Sequence, residues 1–136
     1  MDFLRSMGIA ASGLRAQSGR MRVIAENIAN AESTAPTPGG DPYRRKVPTF
    51  SSELDRSLDA RVLTMGRIRP DNSDFKLKYE PSHPAADANG NVKYPNVNSL
   101  VEMTDLREAQ RSYEANLNVV SATRRMIQRT LDILRA

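Results

Sequence analysis

The chain contains no cysteine and no tryptophan, and only one histidine. Without cysteine neither a disulfide nor a thiolate-bound metal is available. That composition fits a reducing compartment, and equally a chain threaded unfolded through a narrow export path. The one histidine, His83, is followed by Pro84 and has no partner at a recognisable spacing, so it reads as a turn residue and not as a general base. No glycine-rich phosphate loop and no nucleophile motif are present. The stretch from Asp87 to Asn91 has the look of a calcium loop, but its glycine, Gly90, falls at the fourth place where the sixth is required. The twelfth place is Asn98, where a bidentate glutamate is needed. No catalytic, cofactor-binding or metal-binding residue is expected, and no small-molecule substrate. Long apolar runs are missing as well. Arg5 interrupts the apolar residues near the start, so no signal peptide is expected. No stretch approaches the ~18 apolar residues of a membrane span.

Charge of one sign is not concentrated anywhere. The net charge of +4 is spread as +2 over residues 1–31, +1 over 32–99 and +1 over 100–136. Evenly mixed charge describes a solvated surface better than a phosphate-binding stripe, so no nucleic-acid partner is expected. The densest basic cluster, Arg44-Arg45-Lys46 after Tyr43, is short.

What the chain does have sits at its ends. Residues 100–134 contain neither glycine nor proline. Apolar side chains recur there at steps of three and four: Met103, Leu106, Tyr113, Leu117, Val120, Ile127, Leu131 and Leu134, with Gln110 and Arg124 as the two polar interruptions. Ser99 with Glu102 three residues later reads as a capping box at the start. Glu102, Asp105 and Glu108 early in the helix, and Arg124, Arg125, Arg129 and Arg135 late, complement its dipole. From Asp2 to Asn30 the same spacing returns in Phe3, Met7, Ala10, Leu14, Met21, Ile24 and Ile28, continued by Ala31 and broken only by Gln17. Gly8, Gly13 and Gly19 weaken this first helix by about 1 kcal/mol each relative to alanine. They also leave room for close approach by a partner. Two such helices would cover each other only in part, so the stripes suit a plain helix pair or a larger assembly.

Between them lies a segment that holds every proline. Residues 36–42 read as an exposed loop. Tyr43 to Phe50 reads as a short edge strand and Ser51 to Ala60, with Leu54 and Leu58 four apart, as a short amphipathic helix. Arg61 to Arg69 alternates loosely, as a strand does. Phe75, Leu77 and Tyr79 alternate with Lys76 and Lys78, which predicts a half-buried strand. Asn89-Gly90 is a type I′ turn signal leading to a strand at Val92 to Tyr94. The expected fold is therefore mainly α. Residues 1–31 and 100–136 form two long terminal helices paired as a coiled-coil-like unit, and residues 32–99 form a Pro-rich loop and small β-hairpin insert.

With these residues in view, the stretch Arg20 to Thr34, centred on Glu26-Asn27-Ile28-Ala29-Asn30, resembles the N-terminal signature of bacterial flagellar rod and hook proteins. Further stretches narrow the resemblance to the FlgC family of proximal rod proteins. They are Pro42 to Lys46, Tyr79 to Asp87, Tyr94 to Asn98, Glu102-Met103 and Arg111 to Asn116. Asn91 after Gly90 departs from the pattern, where an aromatic is usual, as does the loop at Ser33-Thr34-Ala35-Pro36. The resemblance implies a structural subunit of the basal-body rod and not an enzyme. It implies no cofactor, and delivery unfolded through the flagellar type III export apparatus without a cleaved signal. Its partners would be other rod subunits and copies of itself in the periplasm-spanning drive shaft. Interlocked helices resist shear, which points to Leu14, Met21, Ile24 and Ile28 of the first helix as assembly interface. In the second helix it points to Leu106, Tyr113, Leu117, Val120 and Ile127. Asn27, Asn30 and Asn116 lie beside these stripes, where they could hydrogen-bond across subunits. Tyr43, Arg44, Arg45 and Lys46 are the expected subunit-specific contacts. Other readings compatible with the pattern are a different flagellar axial protein and a free-standing helical adaptor.

Overall fold

The computed structural model describes residues 2–136. Helix α1 runs Phe3–Ala29 and helix α2 Ser99–Arg135, with six short strands between them: β1 (Lys46–Val47), β2 (Phe50–Asp55), β3 (Ala60–Met65), β4 (Arg69–Pro70), β5 (Lys76–Tyr79) and β6 (Asn91–Tyr94). The strands make three separate antiparallel pairs, β1 with β4, β2 with β3, and β5 with β6. The mainly α reading with a small strand-bearing insert is what the chain adopts.

Several local expectations are corrected. The stretch 51–60 is not a helix. Phe50–Asp55 pairs residue for residue with Ala60–Met65, from Phe50↔Met65 to Asp55↔Ala60. Asp55 Oδ1 accepts from the Ser57 amide at 2.8 Å, and Asp59 adopts a left-handed φ of 47°, so the chain turns back where a helix would have to continue. The Leu54–Leu58 spacing suited either structure, and the paired strand satisfies the backbone. The strand expected from Tyr43 to Phe50 is reduced to Lys46–Val47. β5 is exposed along its whole length and not half-buried.

Asn89-Gly90 does not close a two-residue hairpin, because Tyr79 pairs with Asn91 and the intervening residues form a loop of their own. Gly90 takes φ 81° at the end of a turn opened by Asp87, whose Oδ1 accepts from the amides of Asn89 at 2.8 Å and Asn91 at 2.9 Å. His83 is a turn residue, its Nδ1 accepting from the Ala85 amide at 3.0 Å. The cap of α2 is Asn98 and not Ser99. Its Oδ1 accepts from Leu100 N at 3.1 Å and its carbonyl from Glu102 N at 3.0 Å, which frees the Glu102 carboxylate for other partners.

The chain divides into two compact units. One comprises residues 1–21, 49–66 and 107–136. Here α1 gives up side chains so that others can come close: a Cβ on Gly13 would stand 2.8 Å from Asn116 Nδ2, and one on Gly8 would stand 2.5 Å from Leu58. Gly19 makes the same kind of approach to Met65. Ser12, only 1% exposed, donates to Ile9 O at 2.6 Å and accepts from Leu63 N at 3.1 Å, tying β3 to the helix. The other unit comprises residues 22–48 and 67–106. Its core holds Val23, Ile24, Val92 and Val97, all nearly inaccessible.

Candidate assembly surface

The second unit is held by a buried polar network. Glu102 is 1% exposed although it is ionisable, and burying a carboxylate demands partners. It has two: the Arg45 guanidinium bonds to Oε1, and Asn27 Nδ2 donates to Oε2 at 3.2 Å. Asn27, also 1% exposed, uses all of its hydrogen-bonding capacity. Its second amide hydrogen goes to Lys46 O at 2.8 Å, while its oxygen accepts from Tyr43 OH at 2.7 Å and Lys46 N at 3.0 Å. Arg45 also reaches Asp71 Oδ2 at 3.3 Å, and its own amide donates to Asn96 Oδ1 at 2.8 Å. The segment Tyr43–Lys46 is thus clamped to the last turns of α1 and the first turn of α2. Burial, with Glu26 and Glu102 nearby, pushes the Tyr43 hydroxyl up to about 12. Burial works against the Arg45 charge, but the bonds to Glu102 and Asp71 outweigh it and raise its pKa. The Ser73 amide and hydroxyl, followed by Arg45, hold Asp71 below its ordinary value.

Of the four residues expected to mark this subunit, Arg45 faces the network, while Tyr43, Arg44 and Lys46 line a hollow of about 580 Å³ with Glu26, Asn30, Ile68 and Pro70. The Arg44 guanidinium lies 4.2 Å from the centre of the Phe75 ring and donates to Asp71 O at 2.9 Å. Lys46 Nζ reaches Glu26 at 2.5 Å. Asn27 has no donor or acceptor left for a neighbour. Asn30 and Asn116 bond within their own helices, to Glu26 O at 2.9 Å and Ser112 O at 3.0 Å.

Along α2 the covered line differs from the apolar one. Glu102, Ala109 and Thr123 are buried and Asn116 half-buried, seven residues apart. Leu106, Tyr113, Val120 and Ile127 lie beside that line, half-buried. Leu117 remains exposed, as do Met126, Leu131 and Leu134 farther on. On α1, Ile24 is buried, whereas Leu14, Met21 and Ile28 are half-buried. Sequence reasoning assigned Glu102 to a cap and missed its place in the network. Its seven-residue spacing to Ala109, Asn116 and Thr123 forms a line of mostly small and polar side chains. The apolar line through Leu117 beside it fits the same helical period, so spacing alone did not single it out.

Residues 7–35 match the family described as Flagella basal body rod protein, and residues 88–133 the family described as Flagellar basal body rod FlgEFG protein C-terminal. The chain is 54% identical over 128 residues to the flagellar basal-body rod protein FlgC of Agrobacterium fabrum, covering 94% of this chain and 92% of that one. It is 39% identical over 133 residues to FlgC of Salmonella typhimurium, with 98% of both chains covered. To FlgC of Bacillus subtilis it is 38% identical over 148 residues, covering 98% and 99%. The chain belongs to the FlgC family. Members of the FlgC family are structural, not catalytic, and this chain is a structural subunit of the flagellar basal-body rod. Among the described residues no helix is long and apolar enough to cross a membrane. The first matched region is the stretch of α1 that carries the close-approach glycines and ends on the Asn27 network. The second takes in β6 and nearly all of α2.

Proposed function

We propose that this FlgC-family chain builds the proximal rod by packing its terminal helices as coiled-coil-like units, together with those of copies of itself and of other rod subunits. The shaft so formed carries torque across the periplasm. Subunits reach it through the type III export apparatus without a cleaved signal. The observation that supports this reading is the run of exposed apolar side chains on α2, with Leu117 46%, Leu131 46% and Leu134 77% accessible in the single chain. Large apolar groups repeated along one helix mark a surface that gains from being covered. The chain's own covered line, 102–109–116–123, leaves them free to meet a neighbour. Leu14, Met21, Ile24, Ile28, Leu106, Tyr113, Val120 and Ile127 complete the seam, and Asn30 and Asn116 stand at its margin. Subunit identity is read by the hollow lined by Tyr43, Arg44 and Lys46, because apolar stripes discriminate poorly between similar partners.

Leu117→Asp separates assembly from folding. The side chain is accessible in the single chain, so the variant folds, but a charge in a subunit contact costs several kcal/mol, about the 2–7 expected for an unpaired buried polar group and more. Swarming on soft agar should be lost, while Arg107→Ala, an exposed residue off the stripe, leaves it intact. Equal swarming by the two variants would refute the seam.

A further inference from the structure

Two of the small sheets each have one covered edge and one open edge. In the β2–β3 pair, Gly66 N donates to Thr49 O at 2.7 Å. Hydrogen-bonded pairs alternate along an antiparallel ladder, so the amides of Phe50, Ser52 and Leu54 point away from β3. The outer side of β3 is stopped by Ser12, which takes the Leu63 amide. Among the described residues no hydrogen bond meets the outward backbone groups of β2. The β5–β6 pair repeats this arrangement. Glu80 N donates to Gly90 O at 2.9 Å, which turns the amides of Leu77 and Tyr79 outward. The outer side of β6 is closed by Asp87, which exchanges bonds with Asn91 through its side chain and its own amide, both at 2.9 Å. The outer side of β5 has no such closure among the described residues.

Open edges are usually guarded by shortness, proline, a bulge or charge, lysine above all. These two carry charges, but alongside them stand large apolar side chains: Phe50 and Leu54 on β2, and Leu77 and Tyr79 on β5, the last two 64% and 73% exposed. Their charges are opposite, Glu53 and Asp55 on β2 against Lys76 and Lys78 on β5. An antiparallel register with Leu54 opposite Leu77 and Ser52 opposite Tyr79 joins outward groups to outward groups. It also sets Glu53 opposite Lys78 and Asp55 opposite Lys76. Apolar side chains then share one face and opposite charges the other, the pairing that stabilises adjacent strands. A slip of two residues either way leaves at most one ion pair. β2 against β2 offers no cation, and β5 against β5 no anion. Lys78 now lies over the Tyr94 ring and 3.9 Å from the exposed Glu32, a weak surface pair it can exchange. Lys76 donates to Val97 O.

We propose that β2 of one copy takes β5 of a second copy as its next strand, forming a four-stranded antiparallel sheet, β3–β2–β5–β6, across the subunit boundary. The contact is heterologous, so it propagates from copy to copy without closing in a pair. It rests on the reading of the chain as a rod subunit, and adds to the helical seam a second element that specifies another copy of this chain.

Because the chain has no cysteine of its own, the register can be tested with Glu53→Cys and Lys78→Cys, carried on two full-length copies expressed together in flagellated cells that lack their own copy. Mild oxidation should yield a mixed disulfide in preference to either like-with-like dimer. Replacing Lys78→Cys by Lys76→Cys moves the thiol two residues out of register and should leave only a trace. Ser52→Pro removes an outward amide hydrogen and keeps the β2–β3 bonds, since proline is tolerated where the N–H faces away from the ladder. It should abolish the mixed disulfide without changing the circular dichroism of the purified chain. Like-with-like dimers in excess, a mixed disulfide that survives Ser52→Pro, or swarming cells with no mixed disulfide would each overturn the edge pairing. Failure of the unsubstituted chain to restore swarming would overturn the rod reading instead, so the two failures are told apart by motility.

Discussion

Asn27, Glu102 and Arg45 decide whether the second unit closes. Each of the two buried members is satisfied only by the others and by the Tyr43–Lys46 segment. Glu102→Ala takes from the partly buried Arg45 guanidinium one of its two carboxylates, leaving Asp71, and takes an acceptor from Asn27. Its cost therefore lies below the roughly 3–5 kcal/mol of a fully buried pair broken by removing one member. The midpoint of urea unfolding should fall accordingly, whereas substitution of the exposed Arg107 should leave it in place. The same physics changes the meaning of a charge reversal across Arg44, Arg45 and Lys46. Arg45 reversed would face Glu102 and Asp71, so the triple variant reports on folding before it reports on docking. Tyr43 adds a pH dependence at the alkaline end. Its folded pKa, about 12, lies above the ordinary value of 10, so the folded chain holds that proton more tightly than the unfolded one. The stabilisation is complete below pH 10 and is lost as pH rises toward 12. Absorbance of the phenolates should show a component titrating near that value, and Tyr43→Phe should remove it. Tyr94 is raised as well, chiefly by its hydrogen bond to Glu80.

At the scale of elements, α1 trades helix propensity for contact. Gly13→Ala would gain about 1 kcal/mol of propensity in an isolated helix. In the folded unit the new methyl meets the Asn116 amide, so the side chain must leave its place on Ser112 O. The variant is therefore expected to melt lower than the unsubstituted chain. Gly13→Ala combined with Asn116→Ala should recover the loss, a coupling readable in a double-mutant cycle. A melting temperature that rises in the single variant would show that Asn116 yields freely. β2 teaches a related lesson, since Leu54 and Leu58 occur at helical spacing and only the ladder with β3 made the stretch a strand.

For the molecule as a whole, the two helices, of 27 and 37 residues, differ in how far the chain itself supports them. Past Ile127 every residue of α2 is exposed. Helix without packing is marginal in water, because packing on an apolar face supplies most of its stability. The free subunit at micromolar concentration should therefore show less helix than the assembled one, and the signal at 222 nm should grow with protein concentration. Amide hydrogens of residues 128–135 should exchange fast in the monomer and slow in isolated rods. A concentration-independent, fully helical monomer would contradict both expectations.

Sequence alone was enough for the two terminal helices and the Pro-rich stretch, because helical periodicity and proline content are local properties written within a few turns of chain. The order of motifs from Arg20 to Asn116 sufficed for the family. Which line of α2 is covered was not legible, since Leu117 and Asn116 are adjacent and either could face inward. The tertiary structure chose the small and polar line, because Gly13 lets Asn116 come close. Nor could spacing reveal that Glu102 would turn from the helix cap to Arg45, 57 residues earlier in the chain. A cap needs only its own turn of backbone, and Asn98 supplied it. Burying a charge requires a partner that only the fold can bring.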